Sequence, residues 1–325
     1  MRILITGGTG FLGRHSAMLL HRQGHQVAML GRDFREVQPL VALGLETVQC
    51  DLRESAAVAA ACRGRDAVVH AGALSAPWGR LADFRAINVG GTAAVLAGCA
   101  QHRVERLVYI SSPAVVFTGR DHIGTTEDAP YPRHFSSAYA RTKAHAEALV
   151  LVAHGVPSVT LRPKAIFGPG DRALLPRLVA AARAGRLPQV GAGRNLIDIT
   201  YVENVAHAIA LALESHAAIG KVYHITNDEH VPLWPLIRDV LRQLGINDHL
   251  RAVPLPVVLA LAGAMEARAV LTGREPLLTR YTAAILGRTQ TYDIAAARRD
   301  LGYQPLVSVA AGIALTLESL TNAHP

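Results

Sequence analysis

Tyr139 and Lys143 stand four residues apart in Tyr139-Ala140-Arg141-Thr142-Lys143. On a helix that spacing puts a phenol and an ammonium on one face. The chain has eight tyrosines and only three lysines, Lys143, Lys164 and Lys221, so a chance pairing at this spacing is expected well under once. A neighbouring ammonium favours the phenolate, and bringing a phenol down by about three units, close to neutral pH, takes roughly 4 kcal/mol of differential interaction. A tyrosine tuned in this way is an acid/base matched to interconverting a carbonyl and an alcohol. Upstream, Ser111-Ser112 closes an apolar run. Either hydroxyl could hold the same carbonyl oxygen and polarise it.

The elements that must position these groups begin at the N-terminus. Ile3 to Thr6 reads as a strand, Gly7-Gly8-Thr9-Gly10-Phe11-Leu12-Gly13 as a turn, Phe11 to Arg22 as a helix stopped at Gly24, and Gln26 to Leu30 as a second strand. In that context Gly7, Gly10 and Gly13 let backbone N–H groups and the start of the helix at Phe11 and Leu12 approach a dinucleotide diphosphate. The second strand ends in Gly31-Arg32-Asp33, with glycine where an NAD site usually carries an acid. Arg32 is suited to a 2′-phosphate, which favours NADP(H) over NAD(H); the alternative is a solvated arginine beside a helix-capping Asp33.

Asp51 and Leu52 follow a third strand at Leu45 to Gln49, and Asp51 either reaches the adenine or caps the next helix. Asp66 to His70 is a fourth strand leading into Ala71, Gly72 and Ala73, small enough for close backbone approach to a cofactor. His70 reads as structural. A helix from Leu81 to His102 is interrupted by Asn88-Val89-Gly90-Gly91-Thr92, so the Asn88 side chain is expected to brace the active-site helix. Arg106 to Ser111 is a fifth strand that delivers the serines, Pro113 to Ser136 a substrate-facing loop, and Ser137 to Val152 the helix carrying Tyr139 and Lys143.

A net charge of +8 comes with dispersed arginines and no nucleic-acid motif, which argues against nucleic-acid binding. Cys50, Cys62 and Cys99 lack metal or disulfide spacing, so no metal is expected, and they fit buried thiols of a reducing cytoplasm. Met1-Arg2 runs straight into the first strand, which points away from a signal peptide and towards a cytoplasmic protein. The expected class is α/β: a doubly wound parallel sheet over 1–165, then a smaller α+β substrate domain over 166–325, with part of 197–230 returning to the main domain. The apolar stretch 252–265 is too short to span a bilayer and reads as a core or lid helix. An interfacial helix giving peripheral membrane contact through 252–271 is the alternative. Lys164 either meets a substrate carboxylate or is solvated.

Jointly these motifs, with Leu161-Arg162-Pro163-x-x-Ile166-Phe167-Gly168-Pro169-Gly170, resemble the extended short-chain dehydrogenase/reductase superfamily over essentially the whole chain. The resemblance implies a Rossmann-type fold, Tyr139 as acid/base, Lys143 on the nicotinamide ribose, Ser112 orienting the carbonyl, Pro163 and Ile166 beside the cofactor, and a homodimer. Asn195 to Ala206, Gly273 to Arg280 and Leu301-Gly302-Tyr303-x-Pro305 look like the 3β-hydroxysteroid dehydrogenase-like branch. That branch includes sterol dehydrogenases and bacterial 2-alkyl-3-oxoalkanoate reductases. It implies a bulky hydrophobic small-molecule substrate, a β-keto acid or a steroid-like ketone. A nucleotide-sugar epimerase is the second reading, disfavoured because Ile197-Asp198 stands where that pattern has an arginine. A non-catalytic dinucleotide sensor is the third.

Overall fold

The computed structural model describes residues 1–172 and 174–322. Seven parallel strands form one sheet, in the order Val222–Ile225, Ser158–Pro163, Arg106–Ile110, Ala67–His70, Arg2–Thr6, Gln26–Gly31 and Glu46–Gln49. The inner strands read as unbroken apolar runs because helices cover both faces. Ile3, Leu4 and Ile5 are wholly buried, each contributing roughly 2 kcal/mol by leaving water. The register is continuous across the middle, with Ile5 beside Met29 on one side and Val69 on the other, and Thr6 beside His70.

Strand order reverses at Arg2–Thr6, so the crevice beyond its carboxyl end is where such a sheet receives a ligand. The Gly7–Gly13 turn, Ala71–Ala73 and Ser111–Ser112 all emerge at carboxyl ends of neighbouring strands. Helix Val202–Glu214 packs against helix Phe11–Arg22, and Val222–Ile225 adds the outermost strand beside Ser158–Pro163.

A second apolar core gathers Phe167, Val190, Trp234, Ile237, Leu241 and Ile313, among others, in the C-terminal half. It adjoins a small sheet ordered Val231–Pro232, Leu196–Ile197, Gln290–Tyr292 and His122–Thr125. The last strand comes from the stretch read as a loop in the sequence, so the first half of the chain reaches into the second sheet. The architecture is the expected one: a doubly wound Rossmann-type α/β sheet with a smaller α+β unit.

Two local readings change. The helical region from Leu81 to Gln101 is unbroken, with a π-helical turn at Arg85–Gly90 between α-helical segments. The apolar helix runs over Leu255–Thr272, 18 residues, long and apolar enough to cross a membrane by length and composition, and most of it is exposed. It is therefore neither as short as 252–265 suggests nor a core helix. Val257, Leu261, Val270 and Leu271 all face outward.

Candidate active site

The catalytic-helix candidate spans Ala138–Leu151 and starts at a Ser137 cap whose hydroxyl accepts from Ala140 N at 3.0 Å. Tyr139, Lys143 and Glu147 repeat every four residues along it, and Lys143 and Glu147 are buried. Lys143 Nζ donates to the Ile110 carbonyl at 2.6 Å and lies 4.2 Å from the centre of the Tyr109 ring. Burial pushes its pKa down to about 7, with the Glu147 carboxylate pulling it back up.

Sequence reasoning placed this ammonium against the Tyr139 phenol as the group that lowers its pKa. The structure corrects that: Nζ is turned to a strand carbonyl, and burial raises the Tyr139 pKa, with the Ser112 hydroxyl beside it acting in the lowering direction. Ser112 is half-buried and its Oγ accepts from Ala114 N at 3.2 Å. Ser111 is buried, and its Oγ has no hydrogen-bond partner among the described residues. Of the two serines, Ser112 is the one next to the phenol.

Asn88 sits on the π-helical turn, where the extra residue rotates its side chain inward. Its Oδ1 accepts from Leu74 N at 2.7 Å, and Nδ2 donates to Leu74 O at 3.1 Å and to Thr142 Oγ1 at 3.0 Å. Both amide hydrogens are thereby engaged, so Asn88 braces the helix between Tyr139 and Lys143 and has none left for a reacting group. A second string of bonds meets this one. Thr92 Oγ1 donates to Asn88 O at 2.6 Å, so His70 Nε2 must donate to Thr92, at 2.9 Å, leaving Nδ1 to accept from Thr6 Oγ1 at 2.6 Å. Burial holds His70 neutral, its pKa down to about 3. Thr6, Thr92 and Thr142 went unnoticed in the sequence because threonine carries no charge and no motif weight.

The glycine turn fits a dinucleotide. Helix Phe11–Arg22 has no side-chain cap and no acidic residue in its first turn, which leaves the N–H groups at Phe11, Leu12 and Gly13 for an anion. A Cβ on Gly7 would lie 2.7 Å from Gly72 Cα, so the turn and the Ala71–Ala73 segment touch backbone to backbone. Leu52 fills the space beside Gly72 and Gly91. Ala71 N donates to Thr6 O at 3.2 Å, and Ala73 is exposed at the crevice.

Arg32 is exposed, and Asp33 next to it is paired with Arg35 at 2.5 Å. The Asp51 carboxylate is held by the Arg53 guanidinium at 2.8 Å and by Arg53 N at 2.9 Å, and the helix that follows starts after Glu54, so Asp51 does not cap it. Pro163 is buried at its strand end, and Ile166 begins a short pairing with Thr200–Tyr201. Of the two readings of Lys164, solvation is set aside: the side chain is held inside the protein. Its Nζ donates to Gln290 Oε1 at 2.6 Å, and burial moves its pKa to about 8.

Beside the start of the catalytic-helix candidate lies a cavity of about 550 Å³, walled by Trp78, Phe135, Ala138, Leu259 and Tyr281, with Arg280 and Glu266 at one side. Arg280 Nε meets Glu266 Oε2 at 2.7 Å, so that side is neutralised. Tyr281 lies close enough to Tyr139 for the two phenols to interact electrostatically. Neither Trp78 nor Tyr281 could be picked from the sequence, since they lie far apart in the chain, Trp78 in a loop and Tyr281 on helix Arg280–Gly287. Among the described residues no cluster of side chains could hold a metal.

Residues 4–257 match the 3-beta hydroxysteroid dehydrogenase/isomerase family. The chain is 38% identical over 324 residues to a 2-alkyl-3-oxoalkanoate reductase of Stenotrophomonas maltophilia, covering 96% of this chain and 97% of that one. It is 32% identical over 333 residues to the decarboxylating sterol-4-alpha-carboxylate 3-dehydrogenase of Mus musculus, covering 97% and 90%. A solved dTDP-glucose 4,6-dehydratase of Streptomyces venezuelae with NAD and TYD bound shares the fold at a TM-score of 0.79 and 26% identity, over 99% of this chain and 97% of that one. With the resemblance drawn from its motifs thus upheld, the chain belongs to the 3-beta hydroxysteroid dehydrogenase/isomerase family and is an NAD(P)-dependent oxidoreductase acting on CH–OH and C=O groups.

Proposed function

We propose that this protein reduces the ketone of a hydrophobic substrate, a β-keto acid or a steroid-like molecule, and prefers NADP(H). The observation that carries the reading is the Tyr139 phenol next to the Ser112 hydroxyl, near a cavity of mixed lining whose apolar walls are Trp78, Phe135, Leu259 and Tyr281. The dinucleotide, when bound, exchanges a hydride with the substrate's carbonyl carbon. Ser112 holds the carbonyl oxygen and polarises it. Tyr139, neutral because burial raises its pKa, is in the form that donates a proton to that oxygen during reduction. Lys143 supplies positive charge behind the phenol and a donor for the nicotinamide ribose, and Asn88 fixes the helix that carries both. Gly7 to Gly13 receive the diphosphate, Leu52 and Ala71 to Ala73 line the crevice, and Pro163 and Ile166 close its far end.

Arg32 supports the NADP(H) preference: it is exposed beside a neighbouring acid already neutralised by Arg35. The outward apolar face of Leu255–Thr272, whose Leu259 walls the cavity, supports contact with a lipid surface from which an apolar substrate is drawn. A homodimer through the helices at 91–101 and 138–151 completes the proposal.

The test is the initial rate of nicotinamide oxidation by purified protein with NADPH and NADH over 2-alkyl-3-oxoalkanoates, 3-oxosteroids and nucleotide sugars. Turnover of an apolar ketone with NADPH preferred is expected. Activity confined to a nucleotide sugar would overturn the substrate assignment, and equal use of both cofactors would overturn the role of Arg32.

A further inference from the structure

Gly31 ends the strand Gln26–Gly31, and its φ lies outside the left-handed region, so its own backbone does not call for glycine. What calls for it is Thr9. A Cβ on Gly31 would stand 2.7 Å from both Thr9 Oγ1 and Thr9 Cγ2, and 3.2 Å from Thr9 Cβ. Threonine fills two of the three staggered positions on its Cβ, and the two filled here both face Gly31. Any rotation of the side chain therefore leaves one of them occupied.

Neither backbone is free to retreat. Gly8 N donates to Leu30 O at 3.0 Å, and a Cβ on Gly8 would lie 2.6 Å from Met29 Cβ, so the turn rests directly on the end of the strand. On the other side, Cys50 N donates to Gly31 O at 3.0 Å. The Thr9 hydroxyl has no hydrogen-bond partner among the described residues, and the residue is only half-buried, so a ligand can reach it. Arg32, next along the chain, is exposed, and its guanidinium makes no hydrogen bond or ion pair among the described residues. Asp33 and Asp51 beside it are already held by Arg35 and Arg53.

We propose that Thr9 is a specificity-determining residue for the dinucleotide: its side chain occupies the place that an acidic side chain at position 31 would need, and its free hydroxyl joins Arg32 in holding a 2′-phosphate. An acid at the end of the second strand is what reads the free ribose hydroxyls of NAD(H). Here that reader is shut out by a neighbouring side chain and is not merely missing. The space it leaves presents a hydroxyl donor and a cation, both of which suit phosphate oxygens. The role of the hydroxyl rests on the NADP(H) preference proposed above; the exclusion of a side chain at position 31 does not.

Equilibrium binding and thermal unfolding test both halves without any ketone substrate. Kd for NADPH and for NADH is read by fluorescence titration in the parent, in Thr9→Val, in Gly31→Asp and in Thr9→Ala/Gly31→Asp. Thr9→Val keeps the shape and drops the hydroxyl, so NADPH is expected to bind about tenfold more weakly and NADH within about twofold of the parent. Gly31→Asp is expected to unfold at a lower temperature and to bind both dinucleotides poorly, because the turn is pushed off the strand. Adding Thr9→Ala should restore the Tm and tighten NADH binding at least about tenfold over the single variant. Gly31→Ala, alone and with Thr9→Ala, repeats the Tm comparison with the smallest side chain should aspartate prevent folding. A Gly31→Asp protein that binds NADH as well as the double variant, or equal Tm losses with and without Thr9→Ala, overturns the exclusion. Parental NADPH affinity in Thr9→Val overturns the role of the hydroxyl. A parent that binds NADH more tightly than NADPH overturns the cofactor preference proposed above, while the Tm comparison, made with no dinucleotide present, decides the exclusion by itself.

Discussion

Two alanine substitutions, Gly10→Ala and Gly13→Ala, separate what the glycine turn does for the fold from what it does for the dinucleotide. A Cβ on Gly13 would sit 2.1 Å from Gly7 O and 2.8 Å from both Gly7 C and Gly8 Cα. These are backbone atoms that no rotamer change can move, so helix Phe11–Arg22 must lift from the turn, at an overpacking cost of about 1–3 kcal/mol. For a chain of this size that is a Tm lower by roughly 1.5–4.5 °C. Gly10 differs. Its φ of −79° suits any L-residue, it is exposed, and a Cβ there meets only Gly7 O at 3.1 Å. Gly10→Ala is therefore expected to leave Tm within about 1 °C, a surface change being worth under ~0.5 kcal/mol. It puts a methyl group where the diphosphate must approach the helix N-terminus. Losing one charge-assisted backbone bond costs about 1.5–3 kcal/mol, a ten- to hundredfold weaker Kd. Thermal unfolding and a fluorescence titration with NADPH measure both quantities. A Gly10→Ala protein that binds NADPH as tightly as its parent would refute the placement of the diphosphate on this turn. A Gly13→Ala protein with the parent Tm would refute the packing argument.

Tyr139→Phe is expected to cut turnover by about 10²–10⁴ while leaving dinucleotide affinity within about twofold; a rate near that of the parent would remove Tyr139 from the chemistry. Ser112→Ala should lower kcat by at least about tenfold and Ser111→Ala much less, and the reverse order in steady-state rates would exchange the two serines. Arg32→Asp is expected to lower the NADPH-to-NADH ratio of kcat/KM by about ten- to hundredfold, since a charge-assisted phosphate bond is worth ~1.5–3 kcal/mol, whereas an equal loss for both cofactors would show a structural role. Thermal stability should climb as pH is raised from about 5 to about 9. His70 and His224 carry folded pKa values of about 3, and Lys143 and Lys164 of about 7 and about 8, all depressed by burial. In those windows the unfolded chain binds protons the folded one does not, so folding is favoured as pH rises; a flat or falling Tm would contradict their burial.

The fold was legible because each of its parts is local. Apolar runs at Ile3 to Thr6 and Arg106 to Ile110, a glycine turn between strand and helix, and a Tyr-x-x-x-Lys face can all be read from neighbours in the chain. The helix Leu255–Thr272 was misjudged because its composition matches a buried segment, and only packing shows that Val257, Leu261 and Leu271 stay outside. The crossing of His122–Thr125 into the second sheet was hidden for a similar reason: its partner, Gln290–Tyr292, lies far along the chain.

The charge balance of the site was hidden more deeply. Counting an ammonium four residues from a phenol predicts a lowered tyrosine pKa, yet burial acts on both groups at once, raising the phenol and lowering the lysine. The two effects converge on a neutral phenol, which suits a tyrosine that gives up a proton, beside a lysine whose charge is lost as pH rises through about 7. Glu147, on the helix face shared with Tyr139 and Lys143, is likewise decided by packing: it is fully buried and paired with Arg162, which reaches it from a strand 15 residues away. A carboxylate whose helix position allows either solvation or an ion pair becomes a buried ion pair once its counter-ion comes from the sheet, a partner that no local spacing announces.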